Sequence, residues 1–195
     1  MLPRITRLAF ATVAAAGLTT LGMTAAQADD AGLDPANTAV HGVSADLQFS
    51  GTLSGLSFSS SCTEATLDFT TPAGGLGPID LSSTPSITGC TDNFGGNDTI
   101  TASGTWQVTW QSAGQVTLTI PQGGATFSTS FLPGCTVTAA SDGPVQIVGT
   151  YDNVNKAVLP AGTSIPFSAS GCGTTSGSGT VGGTYTLSPN VSVTS

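Results

Sequence analysis

From Thr105 to Ile120 the chain reads Thr-Trp-Gln-Val-Thr-Trp-Gln, a Ser-Ala-Gly-Gln turn, and then Val-Thr-Leu-Thr-Ile. Trp106, Val108 and Trp110 alternate with Gln107, Thr109 and Gln111, and Val116, Leu118 and Ile120 alternate with Thr117 and Thr119. Residues a period of two apart share one face of a strand, so each arm has one apolar and one polar side, and the intervening turn makes the pair a β-hairpin. Trp106 and Trp110 point to the same side. Sequence before and after the hairpin repeats weakly, which makes it the expected seam on which two β halves close.

The repeat is carried by short apolar runs and by cysteines. Phe127, Thr129 and Phe131 ahead of Gly134-Cys135 echo Leu56 and Phe58 ahead of Cys62, and Ser170-Gly171-Cys172 matches Thr88-Gly89-Cys90. Gly183-Thr184-Tyr185-Thr186-Leu187 similarly echoes Gly104-Thr105-Trp106-Gln107-Val108. Short strands, four to seven residues long by this reading, are separated by Gly and Pro turns, and no helical periodicity follows residue 28. The expectation is an all-β domain, an antiparallel β-sandwich or a closed barrel built from two similar halves. Its span is 43–195, with pseudo-repeats of about 43–120 and 121–195. Residues 29–42, with Asp-Asp, Asp-Pro and no clear period, read as a flexible leader.

Residues 1–28 read as a signal peptide: Arg4 and Arg7, an apolar Ala-rich run from Leu8 to Leu21, and Ala26-Gln27-Ala28 as a small-x-small cleavage site. The apolar run is too short for a confident membrane span. Removal of 28 from 195 residues leaves 167, enough for one domain with an adequate core. It also leaves Lys156 as the single cation against all 11 Asp and Glu, a net of -10. Such a chain cannot neutralise a row of phosphates or dock electrostatically on anionic lipid, which excludes nucleic-acid binding and disfavours membrane attachment after signal removal.

Four Cys residues in a secreted chain imply two disulfides, for which three pairings exist. The repeat selects Cys62 with Cys90 and Cys135 with Cys172. No Cys-x-x-Cys spacing is present, and the only His, His41, lies in the expected leader, so no metal or cofactor is expected. Nucleophilic catalysis has His41 as its only conventional candidate base and lacks a Gly-x-Ser-x-Gly elbow. Glu64 is the only Glu, and Asp80, Asp92, Asp98, Asp142 and Asp152 stand mostly beside Gly, Pro or Asn, where turn chemistry accounts for them. The oxygen-rich stretches around Asp92-Asn93, Asn97-Asp98 and Asp152-Asn153 lack the ordered spacing of a calcium loop. No catalytic residue is expected, and the chain reads as a non-enzyme.

Trp106 and Trp110 are the candidate ligand-binding residues, either packed in the core or lining an apolar site. The succession Cys62-Thr63, Ile87-Thr88-Gly89-Cys90, Trp106-Gln107-Val108, Gly134-Cys135, Gly149-Thr150-Tyr151-Asp152-Asn153, Gly171-Cys172 and Gly183-Thr184-Tyr185-Thr186-Leu187 resembles small secreted actinomycete proteins labelled "activator protein". These are similar to the secreted activator of alkane oxidation from pseudomonads. The resemblance implies a secreted β fold with two disulfides and carries over no catalytic residues. Together these features predict a secreted binding protein for apolar or amphiphilic small molecules at the bacterial surface. The alternative is a structural module that joins another secreted or cell-wall protein through its β edges.

Overall fold

The computed structural model describes residues 31–53, 55–111, 114–152 and 156–194. The expected signal peptide, the tip of the central hairpin and most of the Asp152–Asn155 turn lie outside the described residues. The chain opens with β1 (Gly32–Asp34) and β2 (Ala39–Ser44), then forms the hairpin of β3 (Leu47–Leu53) and β4 (Leu56–Thr70). Next come β5 (Ile79–Asp80), β6 (Ser86–Asp92) and β7 (Asn97–Ala102), and the alternating hairpin supplies β8 (Gln107–Gln111) and β9 (Gln115–Ile120). The second half gives β10 (Ala125–Thr129), β11 (Thr136–Ala139), β12 (Val145–Tyr151), β13 (Lys156–Ser170), β14 (Ser176–Ser188) and β15 (Ser192–Thr194). The described residues contain no helix.

Eight antiparallel strands close a barrel in the order β3, β4, β6, β7, β10, β11, β13 and β14, with β14 pairing back to β3. Closure removes the exposed edges that an open sheet of Thr-rich strands would present. The fold is thus all-β with a closed antiparallel barrel, and of the two architectures expected it is the barrel. Four of its strands come from before residue 120 and four from after.

Three strands are much longer than the alternation suggested: β4 and β13 have 15 residues each and β14 has 13. Their far halves leave the barrel and join β2, β12, β9, β8 and β5 in a second ring, which a bridge between Phe69 and Leu81 completes. The change of ring is visible in which residues are inside. In β4, Phe58, Ser60 and Cys62 are buried, and then Ala65, Leu67 and Phe69. The buried positions pass from even to odd numbers at Thr63-Glu64, so two short strands in the sequence are one strand that switches its inner face. In β13 the switch is a register shift between Leu159 and Thr163.

Two expectations change. The central hairpin is not the seam of the closed barrel; β8 and β9 lie between β5 and β12 in the second ring. Alternation specifies which face of a hairpin is buried but not which strands flank it. The described part of the expected leader, 31–42, is not free either, since it contains β1 and most of β2, with Leu33 and Val40 buried. β1 pairs with β15, and the buried hydroxyl of Thr71 donates to the Pro35 carbonyl at 2.6 Å and accepts from the Thr38 N–H at 2.9 Å. These hydrogen bonds satisfy backbone groups in a stretch with almost no periodic signal.

Both disulfides form as the repeat indicated, Cys62–Cys90 between β4 and β6 and Cys135–Cys172 between the residue preceding β11 and the turn after β13. Each second cysteine follows a glycine with positive φ, Gly89 at 64° and Gly171 at 70°. A β-carbon on Gly171 would stand 2.2 Å from the Gly134 carbonyl oxygen beside the partner cysteine, so a side chain is excluded there on two counts.

Candidate functional site

The interior of the first barrel is incompletely filled. Ala125 and Ala139 are direct cross-strand neighbours on β10 and β11, and Gly51 and Gly179 are direct partners on β3 and β14. Small inward residues on opposite walls leave a cavity of about 110 Å³, bounded by the aromatic rings of Phe49, Phe58, Phe127 and Phe167 together with Ile100 and Ile165. Phe58 and Phe127 meet edge to face with centroids 5.0 Å apart. None of the lining side chains is titratable.

Trp106 helps to line the same cavity, with Ile87 and Ile120. Its indole N–H is turned to the backbone, donating to the Ser103 and Gly124 carbonyls at 3.1 Å each. With its polar atom satisfied elsewhere, Trp106 offers the cavity only carbon. Trp110 does not reach this cavity. It is 2% exposed in the second ring, tilted against Phe69 at 5.1 Å and edge-on to Tyr151 at 6.2 Å. Its Nε1 has no hydrogen-bond partner among the described residues. The two tryptophans singled out as a pair are therefore separated, one at the cavity and one in packing. Burial, with the Asp152 charge second, pushes the Tyr151 phenol up to about 12, so the aromatic group around Trp110 is uncharged near neutral pH.

One end of the barrel is closed by Leu53, Phe58, Val137, Phe167 and the Cys135–Cys172 bridge. At this end Leu56, the first residue of β4, and Phe94 and Phe131 in the connecting turns are three of the large apolar side chains left exposed. Phe94 and Phe131 stack at 4.3 Å with an interplanar angle of 10°.

Asp92 and Asp98, which sequence assigned to turns, come together near this end. Asp92 does what an Asx turn requires: one carboxylate oxygen accepts from the Phe94 and Gly96 N–H groups at 2.9 and 2.7 Å. Its other oxygen accepts from the Thr129 hydroxyl at 2.6 Å. Burial would raise its pKa, but these donors outweigh that and hold it below the ordinary value. Asp98, paired across the ladder with Thr129, is buried with neither oxygen hydrogen-bonded among the described residues. Burial raises its pKa, the nearby Ser60 and Thr129 hydroxyls oppose this only in part, and the charge of Asp92 adds to the rise. Neither carboxylate lines the cavity.

The cavity is the feature that sequence reasoning missed, because its walls come from positions as distant as Phe49 and Thr180. The only local hints were the inward Ala and Gly residues standing where alternation calls for something larger. No group of three His, Cys, Asp or Glu side chains suited to a metal occurs among the described residues, and among them no helix is long and apolar enough to cross a membrane. Comparison with family models, with curated proteins and with solved structures finds no match.

Proposed function

We propose that this chain is a secreted, non-enzymatic binding protein that takes the apolar part of a small molecule into the first barrel. The observation that carries this reading is the cavity of about 110 Å³, enclosed by aromatic and aliphatic side chains and flanked by Trp106. A void walled by carbon is dry, and its lining lacks dispersion partners that an apolar guest would supply. A cavity of roughly 150 Å³ admits benzene, so this one accepts a guest of similar or smaller size, such as a short alkyl end. Two disulfides suit an oxidising compartment, and the N-terminal pattern suits export.

The test is titration of the disulfide-intact protein with benzene, n-pentane and short alcohols, followed by tryptophan fluorescence and calorimetry. Burying about four methylenes supplies about 3 kcal/mol, so half-saturation is expected at roughly 5 mM. Absence of both a fluorescence change and a binding heat with all of these guests would overturn the reading.

A further inference from the structure

We infer that the guest is an amphiphile with an uncharged, hydroxyl-rich head, seated in a groove on the outer face of β3 and β14, and a short alkyl end that enters the barrel beside Gly51. This rests on the cavity reading above and specifies its ligand. The groove has a volume of about 430 Å³ and shares Ser50, Gly51, Phe58, Gly179 and Thr180 with the apolar cavity, so the two voids meet at one stretch of wall.

That stretch is where the barrel is thinnest. The β3–β14 ladder runs from Gln48–Gly182 to Gly51–Gly179 and stops there. Beyond it Thr52 and Ser178 have no cross-strand pairing to each other, although β3 continues to Leu53 and β14 begins at Ser176. The last pair is two glycines, so no side chain covers the end of the ladder. A β-carbon on Gly51 would meet Gly179 Cα and the Ser178 carbonyl oxygen at 3.4 Å and then Phe167 Cε1 at 3.8 Å, so only backbone flanks the position on the way to the phenylalanine rings. An alkyl chain entering beside this pair would pass directly from the groove to the phenylalanine rings.

The groove specifies the head. Its walls carry the hydroxyls of Ser57, Ser59, Ser164 and Ser178, with no charged side chain, and the Asn93 amide beside them is spent on the Ser59 N–H and the Ser57 carbonyl. Ser57, Ser164 and Ser178 make no side-chain hydrogen bond with other described residues, whereas Ser50 and Thr180 are bound to each other at 2.7 Å. Free hydroxyls without a counter-charge suit a sugar or polyol. A carboxylate or ammonium would lose hydration there and gain no ion pair.

The experiment compares methyl, butyl, hexyl and octyl β-glucoside with hexanoate, hexylammonium and benzene, each below its micellar concentration, by calorimetry and tryptophan fluorescence. Glucoside affinity is expected to rise about fourfold per methylene, the equivalent of 0.8 kcal/mol, until the cavity is full, and then to level off. Hexanoate and hexylammonium are expected to bind at least tenfold more weakly than hexyl glucoside. Gly51→Val should abolish the chain-length dependence. Ser178→Tyr, an exposed change that leaves the barrel interior intact, should weaken glucosides while sparing benzene. Binding of benzene without any preference for glucosides, or equal binding of the charged analogues, would overturn this inference and leave the cavity reading standing. Binding of none of the compounds would overturn both.

Discussion

Trp106 and Trp110 occupy one face of the same stretch of chain, yet Trp106 lines the cavity of the closed barrel while Trp110 is packed in the second ring. The division gives each residue a separate readout. Trp106→Phe keeps an aromatic ring at the cavity but removes an N–H shared by two carbonyls, a loss of about 1 kcal/mol. The remaining Trp110 should then report no apolar guest. Trp110→Ala should cost about 3–5 kcal/mol in denaturant unfolding, because it removes a buried aromatic side chain, and should leave the guest response intact at temperatures where the protein is folded. A guest response that persists in Trp106→Phe and disappears in Trp110→Ala would place the guest in the wrong ring.

The two disulfides close loops with sequence separations of 28 and 37 residues. Chain-entropy reasoning gives each about 4 kcal/mol of stabilisation, most of it through restriction of the unfolded chain. Replacing Cys62 and Cys90 by Ala, or Cys135 and Cys172 by Ala, should therefore lower the urea midpoint by similar amounts. All four cysteines are 3% exposed or less, so reduction by a small thiol should require unfolding and follow the unfolding rate. Rapid reduction of either bridge under native conditions would contradict this burial.

Asp92 and Asp98 should pull the pH dependence of stability in opposite directions. Asp98 has a folded pKa above its unfolded value, so its contribution is fully favourable below the ordinary value of 3.8 and is lost as pH rises through the folded pKa. Asp92 has a depressed folded pKa, so its contribution is present above 3.8 and is lost as pH falls through the folded value. Asp98→Asn is expected to melt above the wild type at pH 7, with the two curves converging near pH 3.5. Asp92→Asn should melt below the wild type at pH 7, with the gap closing in acid. Each 1 kcal/mol corresponds to a Tm change of roughly 2–4 °C in a chain of this size. Equal effects of Asp98→Asn at both pH values would show that its carboxyl does not carry the raised pKa.

Much of the architecture was legible in the sequence. The inward sides of β8 and β9 follow directly from the alternation of Trp, Val and Leu with Gln and Thr, and the cysteine pairing follows from the repeat of Gly89-Cys90 in Gly171-Cys172. The long strands were not legible, because a period-two pattern loses phase where β4 switches its inner face after Cys62 and where β13 shifts register before Thr163. The leader was misread for a related reason. β1 is three residues long, and its order comes from pairing with β15 at the far end of the chain and from Thr71, none of which leaves a local signature. Trp106 was a reasonable site residue, but its role depends on Gly124 accepting its N–H and on the alanines of two neighbouring strands, Ala125 and Ala139.

Those alanines allow the cavity itself to be tested. Ala125 lies between Ala102 and Ala139 across the sheet and borders the void. Ala125→Leu adds three carbons to a space of about 110 Å³. Each methylene placed in contact with the surrounding rings contributes about 0.8 kcal/mol, against a strain of about 1–3 kcal/mol if the new side chain cannot adopt a relaxed rotamer. Stability should therefore stay the same or rise by up to about 2 kcal/mol, which is the opposite of the usual result of enlarging a well-packed core residue. Apolar-guest binding should fall at least tenfold in the same variant, because the leucine occupies the guest's volume. Calorimetric titration and thermal melts on one preparation distinguish the outcomes: a more stable protein that no longer binds identifies this void as the binding site, whereas unchanged binding in a folded variant would move the guest elsewhere on the molecule.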